Sequence, residues 1–175
     1  MTNARLQLTL VLGGARSGKS RYAESLVTAF APPWTYVATA EPLDDEMRVR
    51  IAEHRARRSA DWRAVEAPRD LAGALEQTSA GGAVLVDCLT LWLSNLMLAG
   101  ADIEAESARL ETVLTRVAAP VVLVSNEVGS GIVPDNALAR QFRDAQGRLN
   151  QRMAARADRV VLVVAGLPLV VKEAS

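Results

Sequence analysis

The feature that most constrains this chain is a run of eight residues, Gly13, Gly14, Ala15, Arg16, Ser17, Gly18, Lys19 and Ser20. It stands between an apolar run suited to a buried strand and a stretch with helical spacing. The spacing Gly-x4-Gly-Lys-Ser is that of a phosphate-binding loop, and both required neighbours are present. Glycines let the backbone turn so that successive N–H groups face an anion, and the N-terminus of the following helix adds partial positive charge. Lys19 is expected to reach the outer phosphates of a nucleoside triphosphate. The Ser20 hydroxyl suits Mg²⁺, a hard cation that prefers oxygen ligands. A glycine turn that matches by coincidence is the alternative, and the strand and helix on either side count against it.

The rest of the chain repeats the same alternation. Apolar runs bounded by turn residues predict strands at Leu8–Leu12, Trp34–Ala38, Ala83–Asp87, Val121–Ser125 and Val160–Val164, with a further candidate at Leu169–Lys172. Helical patterns cover Lys19–Phe30, Asp44–Arg58, Leu71–Thr78, Thr90–Leu98, Ile103–Val117 and Asn136–Ala155. Strands that are continuously apolar are buried on both faces, so the expected fold is α/β, a doubly wound, mostly parallel sheet. With 175 residues and no internal repeat or long linker, residues 1–175 are expected to form a single nucleotide-binding domain. The first five residues and Glu173–Ser175 read as terminal tails.

Composition narrows the ligand. Twenty basic residues balance twenty acidic ones, so there is no global attraction to nucleic acid or an anionic membrane, and an anion site has to be built locally. Only 4% of residues are aromatic, which disfavours a stacking surface for single strands. The single cysteine, Cys88, excludes an internal disulfide framework and reads as a reduced core thiol, which fits a cytoplasmic protein. No signal peptide is recognisable, and the longest apolar window, Leu89–Ala99, is too short to span a bilayer.

Two further sets of residues carry chemistry. Asp87 closes an apolar strand, where a second carboxylate is expected to hold Mg²⁺ through water. Its alternative role is to cap the helix that follows, and the two are compatible. His54, the only histidine, shares a helix face with Met47 and Ile51. Alone it reads as a surface or half-buried side chain. Arg55, Arg57 and Arg58 beside it would favour a neutral imidazole and offer forked donors to phosphate, and a neutral imidazole is a nucleophile. A solvated helix end is the competing reading for these arginines.

Several blocks together resemble one family: GGARSGKS at 13–20, YVATA at 36–40, DDEMRVRIAEHRARR at 44–58 followed by WRAVEAP, VDCLTLWLSN at 86–95, and SNEVGSGIVPDNALARQFRDAQGRLNQRMA at 125–154. These are similar to the bifunctional adenosylcobinamide kinase/adenosylcobinamide-phosphate guanylyltransferases of cobalamin biosynthesis, over nearly the whole chain. The resemblance implies a RecA-like P-loop fold. It implies an enzyme that phosphorylates the aminopropanol hydroxyl of adenosylcobinamide with ATP or GTP. The enzyme then transfers GMP from GTP to the adenosylcobinamide phosphate, giving adenosyl-GDP-cobinamide and releasing pyrophosphate. The GMP travels on a histidine, which aligns with His54, and Lys19 is the second catalytic residue.

The same resemblance implies nucleotide contacts at Gly13 to Ser20, at Ala38, Thr39 and Ala40, at Arg55, Ala56, Arg57 and Arg58, at Glu66 and at Asp87. Ser20 and Asp87 would serve Mg²⁺. Glu66 could accept from guanine N1–H and N2–H, which adenine lacks, with a surface carboxylate as the alternative. Asn126 and Glu127 follow a strand end and are assigned to the corrinoid side, with Glu127 either a base or a loop cap. A homo-oligomer is implied, a homotrimer in which one subunit completes another's site.

Two other readings compete. A single-function P-loop small-molecule kinase would use the loop alone, and His54 separates it from the bifunctional enzyme. A RecA-like ATPase module for nucleic acid or a partner needs a basic or aromatic track, against which the neutral charge and low aromatic content weigh.

Overall fold

The computed structural model describes residues 7–41, 59–78 and 81–173. In chain order the elements are β1 (Leu8–Gly13), α1 (Lys19–Thr28), β2 (Trp34–Ala38), β3 (Trp62–Glu66), α2 (Leu71–Glu76), β4 (Val84–Asp87), α3 (Leu89–Leu98), α4 (Ile103–Leu114), β5 (Val121–Asn126), α5 (Ala137–Arg156), β6 (Arg159–Val164) and β7 (Leu167–Glu173). The strands form one seven-stranded sheet in the order β3-β2-β4-β5-β1-β6-β7. All neighbours are parallel except the β6–β7 pair. The predicted helix over Asp44–Arg58, with His54, Arg55, Ala56, Arg57 and Arg58, lies outside the described residues.

Both faces of the central strands are covered, and the period of two along each strand sorts its residues between them. Leu10, Val86, Val121 and Leu123 pack with Leu71, Trp92, Leu110 and Met153 from α2 to α5. Val11, Leu85, Val122, Val124 and Val161 pack with Ala23 and Val27 of α1 on the opposite face. That burial explains why β1, β4 and β5 are continuously apolar in sequence.

Helix ends follow local chemistry. The side chains of Asp70, Asp102 and Asn136 accept from the backbone N–H of Gly73, Ala105 and Ala139 at 3.0, 3.0 and 2.8 Å, capping α2, α4 and α5. Asn136, expected as the first residue of its helix, is therefore its cap. Between α4 and α5, Glu111 is bonded to Arg152 and, at 3.1 Å, to Arg156, while Arg152 also meets Glu104 at 2.6 Å. Burial raises the Glu111 carboxyl, but the hydrogen bonds and charges of Arg152 and Arg156 outweigh it and hold the group below its ordinary value.

Two strands depart from the expectations. β3, Trp62–Glu66, was not expected as a strand; among the described strands it pairs only with β2, at the sheet's edge, so Arg63, Ala64 and Glu66 are exposed and the run is not apolar. β7 begins at Leu167 rather than Leu169 because Ala165 and Gly166, with φ of 50° and 81°, make a two-residue turn directly after β6. Glu173, read as tail, ends β7 and pairs with Arg159. No helix among the described residues is long and apolar enough to cross a membrane.

Candidate active site at the carboxyl edge of the sheet

The C-terminal ends of the parallel strands meet at one edge, where ligands bind in open α/β sheets. Register fixes which residues arrive there: Ala38 lies opposite both Glu66 and Asp87, and Gly13 lies opposite Asn126. The described candidates on five strands thus arrive at one edge, with Gly13 and Asn126 two residues beyond the level of Ala38, Glu66 and Asp87.

The phosphate loop leaves β1 at Gly13, which allows no side chain. A Cβ there would sit 2.8 Å from the Val163 carbonyl oxygen and run into the Ser17 hydroxyl. Gly18 has φ 92°, a left-handed conformation that L side chains rarely adopt, and caps α1. Arg16 also takes positive φ, 54°, and is exposed with Ala15 at the tip. The loop is fastened to the β6–β7 turn by Gly166 N–H donating to Ser17 C=O at 2.8 Å. Lys19 folds back so that Nζ donates to Gly14 C=O at 2.9 Å. No side chain caps α1, and no carboxylate lies in its first turn. The Ser17 hydroxyl is buried without a hydrogen-bond partner among the described residues. The Ser17 hydroxyl and a helix N-terminus without a side-chain cap fit an anion.

Asp87 is partly exposed at the end of β4, with the Tyr36 hydroxyl 3.4 Å from Oδ2. It does not cap α3: Cys88 holds that position, and no side chain caps the helix. The Asp87–Cys88 peptide bond is cis. Burial, then the Asp87 charge, pushes the Cys88 thiol up to about 11, so it is a protonated core group, as its apolar surroundings suggested.

Thr39 is fully buried, and its hydroxyl is engaged with Cys88 on both sides: it donates to Cys88 C=O at 2.7 Å and accepts from Cys88 N–H at 2.8 Å. Its carbonyl accepts from Asn95 Nδ2 at 2.8 Å, and Asn95 also donates to Pro68 C=O at 2.9 Å. The Thr39 hydroxyl thus joins the ends of β2 and β4. Ala40 is half-buried just beyond it, and Glu66 is exposed at the end of β3.

Glu127 is exposed, and its Oε1 accepts from Gly129 N–H at 2.5 Å, the contact expected of a loop cap. Its own N–H donates to Gly13 C=O at 3.1 Å, tying this loop to the start of the phosphate loop. Sequence reasoning missed the polar groups beneath the edge: Thr90, Asn95, Ser125, Gln146 and Asn150 are all buried. The signal was visible for Asn95, an amide inside the mainly apolar window Leu89–Leu98.

This fold, with a glycine-rich loop running from β1 into α1, is that of a P-loop nucleotide-binding protein. Among solved structures it is similar to the P4 protein from bacteriophage phi6 in complex with ADP, with a TM-score of 0.52 at 16% identity. That match covers 93% of this chain, which spans about half, 52%, of the phage protein. The family model for cobinamide kinase / cobinamide phosphate guanyltransferase matches residues 9–171, and the chain belongs to that family. It is 48% identical to the bifunctional adenosylcobalamin biosynthesis protein CobP of Pseudomonas aeruginosa, across 93% of this chain and 96% of the relative. It is 45% identical to the corresponding CobU protein of Salmonella typhimurium, across 94% and 99%. The chain is accordingly an enzyme of cobalamin biosynthesis with kinase and guanylyltransferase roles.

Proposed function

We propose that one nucleotide site, the loop from Gly13 to Ser20, serves both reactions, and that His54 carries GMP from GTP to the acceptor phosphate in the second. The observation behind the shared site is the common edge: Gly13, Ala38, Glu66, Asp87 and Asn126 all lie at the carboxyl ends of neighbouring strands.

In the kinase reaction the aminopropanol hydroxyl oxygen of adenosylcobinamide attacks the γ-phosphorus of ATP or GTP. The bond to the bridging oxygen breaks, the nucleoside diphosphate leaves and the hydroxyl proton is lost. Lys19 and the loop N–H groups hold the charge that builds on the phosphates. Ser20 through its hydroxyl, and Asp87 through water, would hold Mg²⁺, whose charge would offset that of the phosphates. Among the described residues no group of three His, Cys, Asp or Glu could hold an ion, so that site would be completed by nucleotide oxygens.

In the guanylyl reaction the lone pair of a neutral His54 nitrogen attacks the α-phosphorus of GTP, and the bond to pyrophosphate breaks. A phosphate oxygen of adenosylcobinamide phosphate then attacks the same phosphorus, and the P–N bond returns its electrons to the imidazole. Arg55, Arg57 and Arg58 are assigned to the nucleotide phosphates and Glu66 to the guanine edge. Incubation with GTP labelled at the α-phosphate tests the carrier. An acid-labile protein adduct that His54→Asn abolishes is expected; a wild-type chain that forms none sinks the histidine step.

The chain is also proposed to fold as one domain and to work as a homo-oligomer, a homotrimer. The exposed apolar residues of edge strand β7, Leu167, Leu169 and Val171, support self-association. A monomer in light scattering would overturn that.

A further inference from the structure

β4 ends at Asp87, opposite Val124, while β5 runs on to Asn126. Past Asp87 the flank of β5 has no strand partner, so the N–H and C=O of Asn126 on that side need others. Two helices supply them. The hydroxyl of Thr90, near the start of α3, accepts from Asn126 N–H at 2.8 Å, and Asn150 Nδ2, on α5, donates to Asn126 C=O at 3.0 Å.

Asn150 is itself held. Its Oδ1 accepts from the Ser125 hydroxyl at 2.7 Å and from Gln146 Nε2 at 2.9 Å, and Gln146 also donates to the Ser125 hydroxyl at 2.9 Å. Ser125 and Gln146 are fully buried. On the other flank Glu127 N–H reaches Gly13, the first residue of the phosphate loop. The Asn126–Glu127 segment is therefore braced between the loop that holds the phosphates and two helices. Four amide and hydroxyl side chains buried below it are a costly way to fill a core, and such a network fixes geometry more narrowly than apolar packing does.

We propose that Thr90 and Asn150 are positioning residues for the acceptor: they fix the Asn126–Glu127 segment, and so the place where the acceptor's attacking oxygen meets the phosphate loop. This rests on the bifunctional reading above. Neither side chain touches the reacting atoms; both act through the backbone of Asn126. The consequence is a split between the two halves of the chemistry. Attack of the histidine on the α-phosphorus needs no acceptor and is unaffected, whereas phosphoryl transfer to the corrinoid hydroxyl depends on the brace.

Thr90→Val keeps the shape and removes the acceptor of the Asn126 N–H, while Thr90→Ser keeps the hydroxyl. With the full chain, kcat for phosphorylation of adenosylcobinamide is expected to fall about tenfold to a hundredfold in Thr90→Val, the scale of a misplaced reactant. The nucleotide KM and the rate of adduct formation from α-labelled GTP stay within about threefold, and Thr90→Ser stays within about threefold throughout. Amide exchange in peptides covering residues 121–131 should rise at Asn126 and Glu127. If Thr90→Val does not fold, Asn150→Ala is read for the same split. Unchanged acceptor kcat, or an equal fall in both halves in a folded variant, overturns the proposal. A wild-type chain without an adduct would defeat the histidine step instead, and kcat against nucleotide KM in the kinase reaction would then decide the positioning role.

Discussion

Replacement of Thr39 by valine distinguishes a nucleotide contact from a brace. The hydroxyl accepts from Cys88 N–H and donates to Cys88 C=O inside a fully buried site. Valine leaves the N–H unsatisfied, which costs about 1–3 kcal/mol. The carbonyl keeps one partner, the Trp92 N–H at 3.2 Å, so its loss is that of an ordinary hydrogen bond, about 0.5–1.5 kcal/mol. The sum is about 1.5–4.5 kcal/mol, or about 3–18 °C in Tm for a chain of this size. Thr39→Ser keeps both bonds and loses one buried methyl, about 1 kcal/mol. Urea unfolding of the two variants, with nucleotide KM measured on each, is the assay. The expected order of stability is wild type, serine, valine. A valine variant at least as stable as the serine one, with a raised nucleotide KM, would refute the brace and make the Thr39 hydroxyl a direct contact.

Two pH dependences follow from other groups. The Cys88 thiol, pushed up to about 11 by burial and by Asp87, stays protonated in the folded chain while the unfolded chain releases its proton from its ordinary value of 9.0 upward. Its stabilising contribution is complete below that value and falls as pH rises through 11. The stability of wild type relative to Cys88→Ala should thus drop by about 2–3 kcal/mol across the window, and a constant difference would refute it. Glu111 is held below its ordinary value of 4.5: burial raises it, but the Arg152 and Arg156 hydrogen bonds and charges prevail. Its contribution is present above that value and disappears as pH falls through the lowered one. The stability gap between wild type and Glu111→Gln, followed by urea titration, should narrow with acidification, and a gap that widens would refute the assignment.

What could be read from the sequence depended on how many neighbours an element has. β1, β4 and β5 are covered on both faces and flanked on both edges, so their residues have almost no reason to be polar, and the apolar runs gave them away. β3 has one flanking strand, and its exposed Arg63 and Glu66 hide it from a search for such runs, although Glu66 had been assigned to the site for other reasons. The phosphate loop was legible because its backbone requirements are largely local: Gly18 needs positive φ, and a side chain at Gly13 would run into the Ser17 hydroxyl. Its chemistry is written in eight adjacent letters.

The brace below the edge is not local. Thr39, Thr90 and Asn150 each read as an ordinary polar residue in or beside an apolar element, and their meaning comes from partners 36 to 49 positions away in the case of the two threonines, and 24 away for Asn150. Such contacts are needed wherever a strand outruns its neighbour. β5 outlasts β4 by two residues, from Val124 to Asn126, and the orphaned backbone groups have to be met by side chains. Those two residues carry β5 past the end of β4 at the edge where the phosphate loop begins. The same overhang that brings Asn126 beside Gly13 therefore creates the need for Thr90 and Asn150, and site geometry and buried polarity have one cause.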